Sequence, residues 1–168
     1  MGPQHTEHCE KANARMQLIR KVASFGTSAD ELKNVYILFI RSLLEQSAVV
    51  WHGSLTQENI DDLERVQKSA VKIILGDKYS GYKKSLEKLE METLYDRRDK
   101  LCLEFAKSCV KNPRFSDMFP KNPKIHKMET RKPEISNVKH ANNERFKKSP
   151  IIYMQHLLNE DQEKVQTQ

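Results

Sequence analysis

Glycine is scarce in this chain, with 5 in 168 residues and none of them clustered. That excludes the phosphate-cradling loops of Walker and dinucleotide-binding motifs, which need several glycines at fixed spacing so that backbone amides can approach a phosphate. Cysteine is scarcer still. Cys9, Cys102 and Cys109 are odd in number and lack close pairs, which argues against a disulfide framework and for a reducing compartment. No apolar run approaches the ~20 residues a membrane-spanning helix needs. Val35 to Ile40 is a typical longest stretch. The first residues, Met1-Gly2-Pro3-Gln4-His5-Thr6-Glu7, contain no apolar segment of the kind a secretory signal carries. The chain is therefore expected inside the cell, in nucleus or cytoplasm and not secreted, with no membrane partner. Alternating apolar and polar residues long enough for a strand are missing too, which leaves helix as the building unit.

What is present is charge. Charged residues make up 31% of the chain and hydrophobic ones 38%, with a mean hydropathy of -0.74. These values predict a modest core and a substantial solvated part. Lys and Arg number 29 against 23 Asp and Glu, a net charge of +6, and the pI is near 9.2. A polyanion partner is an expectation from this balance, although a solvated basic surface has the same composition.

Helical spacing runs through the first two thirds. Ala12, Met16, Ile19 and Ala23 form a stripe that Gly26 closes. Ser28 to Glu31 is a capping box opening a helix whose expected buried face holds Leu32, Tyr36, Phe39, Leu43, Ser47 and Val50, widened by Val35, Ile40 and Trp51. Thr56 caps the next, with Ile60, Leu63, Ala70, Ile73 and Ile74 inward and Gly76 at its end. A turn at Tyr79-Ser80-Gly81-Tyr82 leads to a short helix carrying Leu86 and Leu89. Thr93 opens a last one with Leu94, Leu101, Cys102, Phe105 and Cys109, stopped at Asn112-Pro113. The expected fold is all-α, a compact bundle of about five helices over residues 11–111 behind a flexible 1–10. Residues 112–168 are basic and punctuated by proline. They read as a poorly ordered tail ending in a short helix near 151–160.

Candidate chemistry is thin. Asp61-Asp62 is the sole Asp-Asp pair, but it falls in the first turn of a helix, where acids complement the dipole and Asp61 is expected to pair with Arg65. His5, His8 and Cys9 lack the further ligand a zinc site needs. Cys102 and Cys109 share a helix face and read as small apolar groups. No catalytic residue, metal ligand, cofactor or small-molecule substrate is assigned. The candidate nucleic-acid-binding residues are Lys11, Arg15 and Lys21 on one helix, Arg65, Lys68 and Lys72 on another, and Lys78, Lys83 and Lys84 around the tyrosine turn. Such faces meet a phosphate backbone with strong salt dependence. Ordinary i,i+4 pairs, Asp61–Arg65 and Glu64–Lys68, account for the same pattern.

Four stretches in order resemble one family: Lys11 to Lys21 with Ala23 to Gly26; Leu44 to His52; Leu63 to Gly76 with Tyr79 and Tyr82; and Glu92 to Arg98 with Lys100 to Lys107. Together they are similar to the C-terminal end of a LINE-type, jockey- or CR1-like non-LTR retrotransposon reverse transcriptase polyprotein. The tail, with Glu144-Arg145-Phe146, Ser149-Pro150-Ile151, Tyr153 and Leu157-Leu158-Asn159, resembles how those polyproteins finish. The match runs from about Glu10 nearly to the end.

The resemblance implies the helical thumb and the post-thumb segment, a part that positions a template-primer duplex and performs no chemistry. The endonuclease, fingers and metal-binding palm of such a polyprotein have no counterpart in these residues, and Met1 to Gln4 would replace them. A non-enzymatic fragment of an RNA-directed DNA polymerase is the expectation, with residual affinity for an RNA-DNA duplex or RNA. The rivals are a protein-interaction module and a decayed element without a cellular role. The module would use the apolar face orphaned by loss of the palm, with self-association or a reverse transcriptase palm as partner.

Overall fold

The computed structural model describes residues 4–115, 117–120 and 143–166. Every regular element among them is helical: α1 Gln4–Ser24, α2 Ala29–Tyr36, α3 Ser42–Leu44, α4 Ala48–Trp51, α5 Gln57–Leu75, α6 Tyr82–Lys88, α7 Leu94–Lys111, α8 Glu144–Lys147 and α9 Pro150–Gln166. Short 3-10 turns come after α4, α5 and α7, and a π-turn, Ile37–Arg41, joins α2 to α3. The all-α expectation holds. The tail between Lys121 and Asn142 lies outside the described residues.

Local chemistry explains most boundaries. Ser28 caps α2 as expected: its amide donates to Glu31 Oε2 at 3.1 Å, and its Oγ accepts from the Glu31 amide at 3.4 Å. Thr56 Oγ1 accepts from the Asn59 amide at 3.3 Å and opens α5. Gly76 closes α5 at φ +50, a conformation that costs other residues a Cβ clash. Thr93 Oγ1 accepts from the Asp96 amide at 3.1 Å at the start of α7. Pro150 is the first residue of α9, where its missing amide would have had no helical partner. α9 extends to Gln166, past the end expected near 160. At the other end, α1 reaches back to Gln4 through part of the segment assigned to a flexible N-terminus.

The chain divides into two compact units. The first comprises residues 1–48 and 55–98, in which α1 packs chiefly on α5. Ala12, Met16 and Ile19 are buried there, as their spacing predicts, and so are Leu63, Val66, Ala70, Val71, Ile74 and Leu75 of α5. Ile60 and Ile73 are half-buried rather than central.

The predicted inner face of 29–51 holds at Leu32, Tyr36, Ile40, Leu43 and Trp51, which are buried, and needs correction elsewhere. Leu32, Tyr36, Ile40, Leu44 and Ala48 are buried at a strict spacing of four, while Phe39 is 49% and Val50 59% exposed and Ser47 is exposed. The π-turn is the reason. Its i→i+5 hydrogen bonding widens the helix locally, so residues four apart stay on one face instead of drifting as in an α-helix. Arg15 Nη1 donates to the carbonyl of Phe39 within that turn at 2.8 Å. Beyond it, Glu45 bridges Arg41 (3.6 Å) and Arg97 (2.5 Å).

The second unit comprises residues 49–54 and 99–168. The division falls between Arg98 and Asp99, inside α7, not after Lys111. Its core is Cys102, Ala106 and Cys109 of α7 with Phe119 and with Met154 and Leu158 of α9. The two thiols, 1% and 2% exposed, act as small apolar groups as predicted. Phe105, expected inward, is 42% exposed and Ala106 takes its place. In the same unit, His52 Nε2 and the Tyr153 hydroxyl both meet Asp99 Oδ1, the histidine at 2.8 Å. The two rings lie edge to face at 5.6 Å. Gly53 makes room for Tyr153: a Cβ at 53 would sit 2.7 Å from Tyr153 Cβ.

Candidate nucleic-acid interface and polar pocket

The predicted basic residues separate into two sets. On α1, Lys11 is tied to Glu7 Oε1 at 2.5 Å. Arg15 is used on the π-turn carbonyl, and Lys21 is exposed in the last turn. The other set runs along α5 into α6. Lys68 Nζ lies 5.2 Å from the centre of the Tyr82 ring, and Lys72 Nζ lies 5.6 Å from that of Tyr79. Both are within cation-π range. Lys78, Lys83 and Lys84 are exposed just before and just after the turn that carries the two tyrosines. Arg65 is exposed, but Asp62 holds its Nη1 at 2.7 Å.

Two predicted ion pairs are replaced. Arg65 takes Asp62, three residues back, in place of Asp61, whose Oδ1 accepts from Gln57 Nε2 at 3.0 Å. Glu64 turns from Lys68 to the Tyr82 hydroxyl, and its Oε2 accepts from the Leu94 amide at 3.1 Å. The reason is chemical. A half-buried carboxylate gains more from fixed donors, including the first amide of α7 with its helix dipole, than from a mobile ammonium.

Sequence reasoning missed the network behind this surface. Gln67 is fully buried in the middle of the apolar stripe of α5. Its Oε1 accepts from the Tyr36 hydroxyl at 2.7 Å, and its Nε2 donates to the Tyr82 hydroxyl and to the Glu92 carbonyl, each at 2.9 Å. Burial drives the Tyr36 hydroxyl well above its ordinary range. Burial, then the bond to Glu64, also pushes the Tyr82 hydroxyl upward. Both rings are therefore held as neutral donors. The one local signal was a glutamine at a position where the helical period calls for an apolar side chain.

In front of the network lies a cavity of about 390 Å³. Gln57, Ile60, Asp61, Glu64 and Lys68 line it from one face of α5. Tyr82 and Tyr95 supply aromatic walls. No group of three or more His, Cys, Asp or Glu side chains among the described residues is placed to hold a metal ion. No helix among them is long and apolar enough to cross a membrane.

The class this geometry defines is an all-α protein with a lysine and tyrosine surface beside a pocket of mixed lining. Scanning the chain against protein-family models gives no match, and searches of curated proteins and of solved structures give none.

Proposed function

We propose that this chain is a non-enzymatic, retrotransposon-derived helical module that grips nucleic acid, with an RNA-DNA template-primer duplex as its first ligand. The origin rests on the four in-order stretches that resemble the end of a LINE-type reverse transcriptase. The grip rests on the α5–α6 surface, where Lys68 and Lys72 are ordered against tyrosine rings. Lys78, Lys83 and Lys84 extend the same charge into solvent. Ordered cations lose less freedom on meeting phosphates than unsupported ones do. On α1, Arg15 contributes less, because its guanidinium holds the π-turn carbonyl.

The test is a salt titration of binding to an RNA-DNA hybrid. Neutralising phosphates with these five lysines gives a log-log slope of about -0.9 per contact for duplex DNA, hence about -4.5 if all of them engage. Reversing Lys78, Lys83 and Lys84 to glutamate should flatten that slope and abolish binding at moderate salt. Folded protein that fails to bind the hybrid at low salt ends this reading.

A second reading has its own observation. Phe25 is 85%, Leu38 67%, Phe39 49% and Leu18 43% exposed in the first unit, an apolar content that favours a protein-interaction module. Concentration-dependent light scattering that Leu38→Ser and Phe39→Ser remove would shift the assignment to it.

A further inference from the structure

We infer that the cavity at the start of α9 binds a small, uncharged apolar ligand that carries a hydrogen-bond donor, and that the donor meets Gln155. The cavity lies within the second unit and shares no residue with the α5–α6 lysine surface, so it stands apart from the nucleic-acid reading. Its volume is about 240 Å³. Met118 and Pro120 line it from the turn after α7, Phe146 from α8, and Ile151 and Ile152 from the first turn of α9. Hydrogen bonds fix both sides. The Met118 and Phe119 amides donate to the Phe115 carbonyl at 3.0 and 3.1 Å, and the Ser149 amide donates to that of Phe146 at 3.0 Å. Phe119, 5% exposed, anchors the first of these turns in the core. Exposed Asp117 and half-buried Ser149 complete the lining. No cation is among the described residues of this lining, so a phosphate or carboxylate ligand has no counter-charge there.

Gln155 supplies the specificity. It is 2% exposed, in a stretch of α9 whose buried neighbours are Ile152, Met154 and Leu158. Its Nε2 donates to the Met118 carbonyl at 2.8 Å. Met118 and Gln155 line the same cavity, so this amide group lies at its wall. The bond to a carbonyl also fixes which amide atom is which, because a flipped amide would set two oxygens against each other. Oε1 is buried and accepts no hydrogen bond. Buried polar atoms nearly always have a partner, and one that lacks it gains the most from a donor brought by a ligand. Water does not reach this oxygen. A ligand does so by displacing the outer parts of Met118 and Phe146, which are 48% and 46% exposed. An amide oxygen only accepts, so the ligand has to donate. The remaining walls are largely apolar, and the volume is below the usual range for drug-sized ligands. The donor therefore belongs to a compact apolar body.

Indole has this chemistry, and benzofuran has the same shape with an acceptor oxygen in place of the N–H. Titrating each against the full chain, followed by NMR, tests the site. Indole should shift the amides around Phe146, Ile152 and Gln155, together with the Gln155 side-chain amide. Benzofuran should bind about tenfold more weakly, the scale of one hydrogen bond. Gln155→Leu should bind the two alike, with circular dichroism confirming its helices. If that variant fails to fold, the comparison of the two ligands on the parent chain still decides. N-acetyltryptophanamide binding more tightly than indole would assign the ligand to a tryptophan side chain of another protein, and weaker binding would assign it to a free small molecule. Three results overturn the inference: no indole shifts among the residues that line the cavity, equal affinities for indole and benzofuran, or a preference for indole retained in Gln155→Leu.

Discussion

Replacing Gln67 by leucine takes an amide out of a site with no exposed surface and keeps nearly the same volume. Three hydrogen bonds go with it. They are not equivalent. The Tyr82 hydroxyl still has Glu64. The Glu92 carbonyl belongs to an exposed residue, and its bond to Gln67 is only partly buried. The Tyr36 hydroxyl sits on a fully buried ring, so the substitution leaves its donor without a partner, a cost of about 1–3 kcal/mol. The better transfer of leucine offsets part of this, and a net destabilisation of about 2 kcal/mol is expected. Tyr36→Phe alone should cost less, because it strands one amide oxygen. The double variant should recover most of the loss, since exchanging both partners for apolar groups is nearly neutral. The coupling energy is then about 1–2 kcal/mol, measured by urea unfolding with circular dichroism in a double-mutant cycle. Additive effects within about 0.4 kcal/mol would refute the idea that Gln67 and Tyr36 satisfy each other.

The same packing carries two further predictions. Folding raises the hydroxyl pKa of both Tyr36 and Tyr82, so the folded state keeps protons that the unfolded chain loses. Their stabilisation is complete below the unfolded value of about 10 and declines as pH rises beyond it. Tyrosinate absorbance should show two of the five tyrosines resisting titration until the protein unfolds, and smooth titration of all five below the unfolding transition would contradict it. Gly53→Ala should destabilise the second unit by about 1–3 kcal/mol, because the new methyl meets the Tyr153 side chain at 2.7 Å; a melting temperature equal to that of the parent would show that α9 yields freely.

Helices were legible in the sequence wherever capping chemistry and the 3.6-residue period agreed. Ser28–Glu31, Thr56, Gly76 and Thr93 marked their boundaries, and Ala12, Met16 and Ile19 marked an inner face. The inner face of 29–51 was legible only in part: Leu32, Tyr36, Ile40, Leu43 and Trp51 are buried as expected, but Phe39, Ser47 and Val50 are exposed. A π-turn changes the period, and Phe39 is as apolar as Ile40, so composition cannot tell which of them turns inward. The polar side chains that organise each unit were also hidden. His52, Asp99 and Tyr153 come together across 47 and 54 residues of chain, and no local pattern marks such a meeting. Of the candidate binding residues, the lysines near the tyrosines remained available in the fold. Lys11 pairs with Glu7 at the exposed surface and Arg15 with the π-turn carbonyl; Asp61 took a different i,i+4 partner, Gln57, and Glu64 took partners outside its own helix.

The bond from the Leu94 amide to Glu64 spans 30 residues. It makes a clasp: a mid-helix carboxylate on α5 closes the loop that contains the tyrosine turn and α6, and the first turn of α7 is the catch. The turn bearing Tyr79, Lys78 and Lys83 is thus tethered at both ends of its excursion. Tyr82 belongs to the same clasp, because its hydroxyl donates to the same carboxylate.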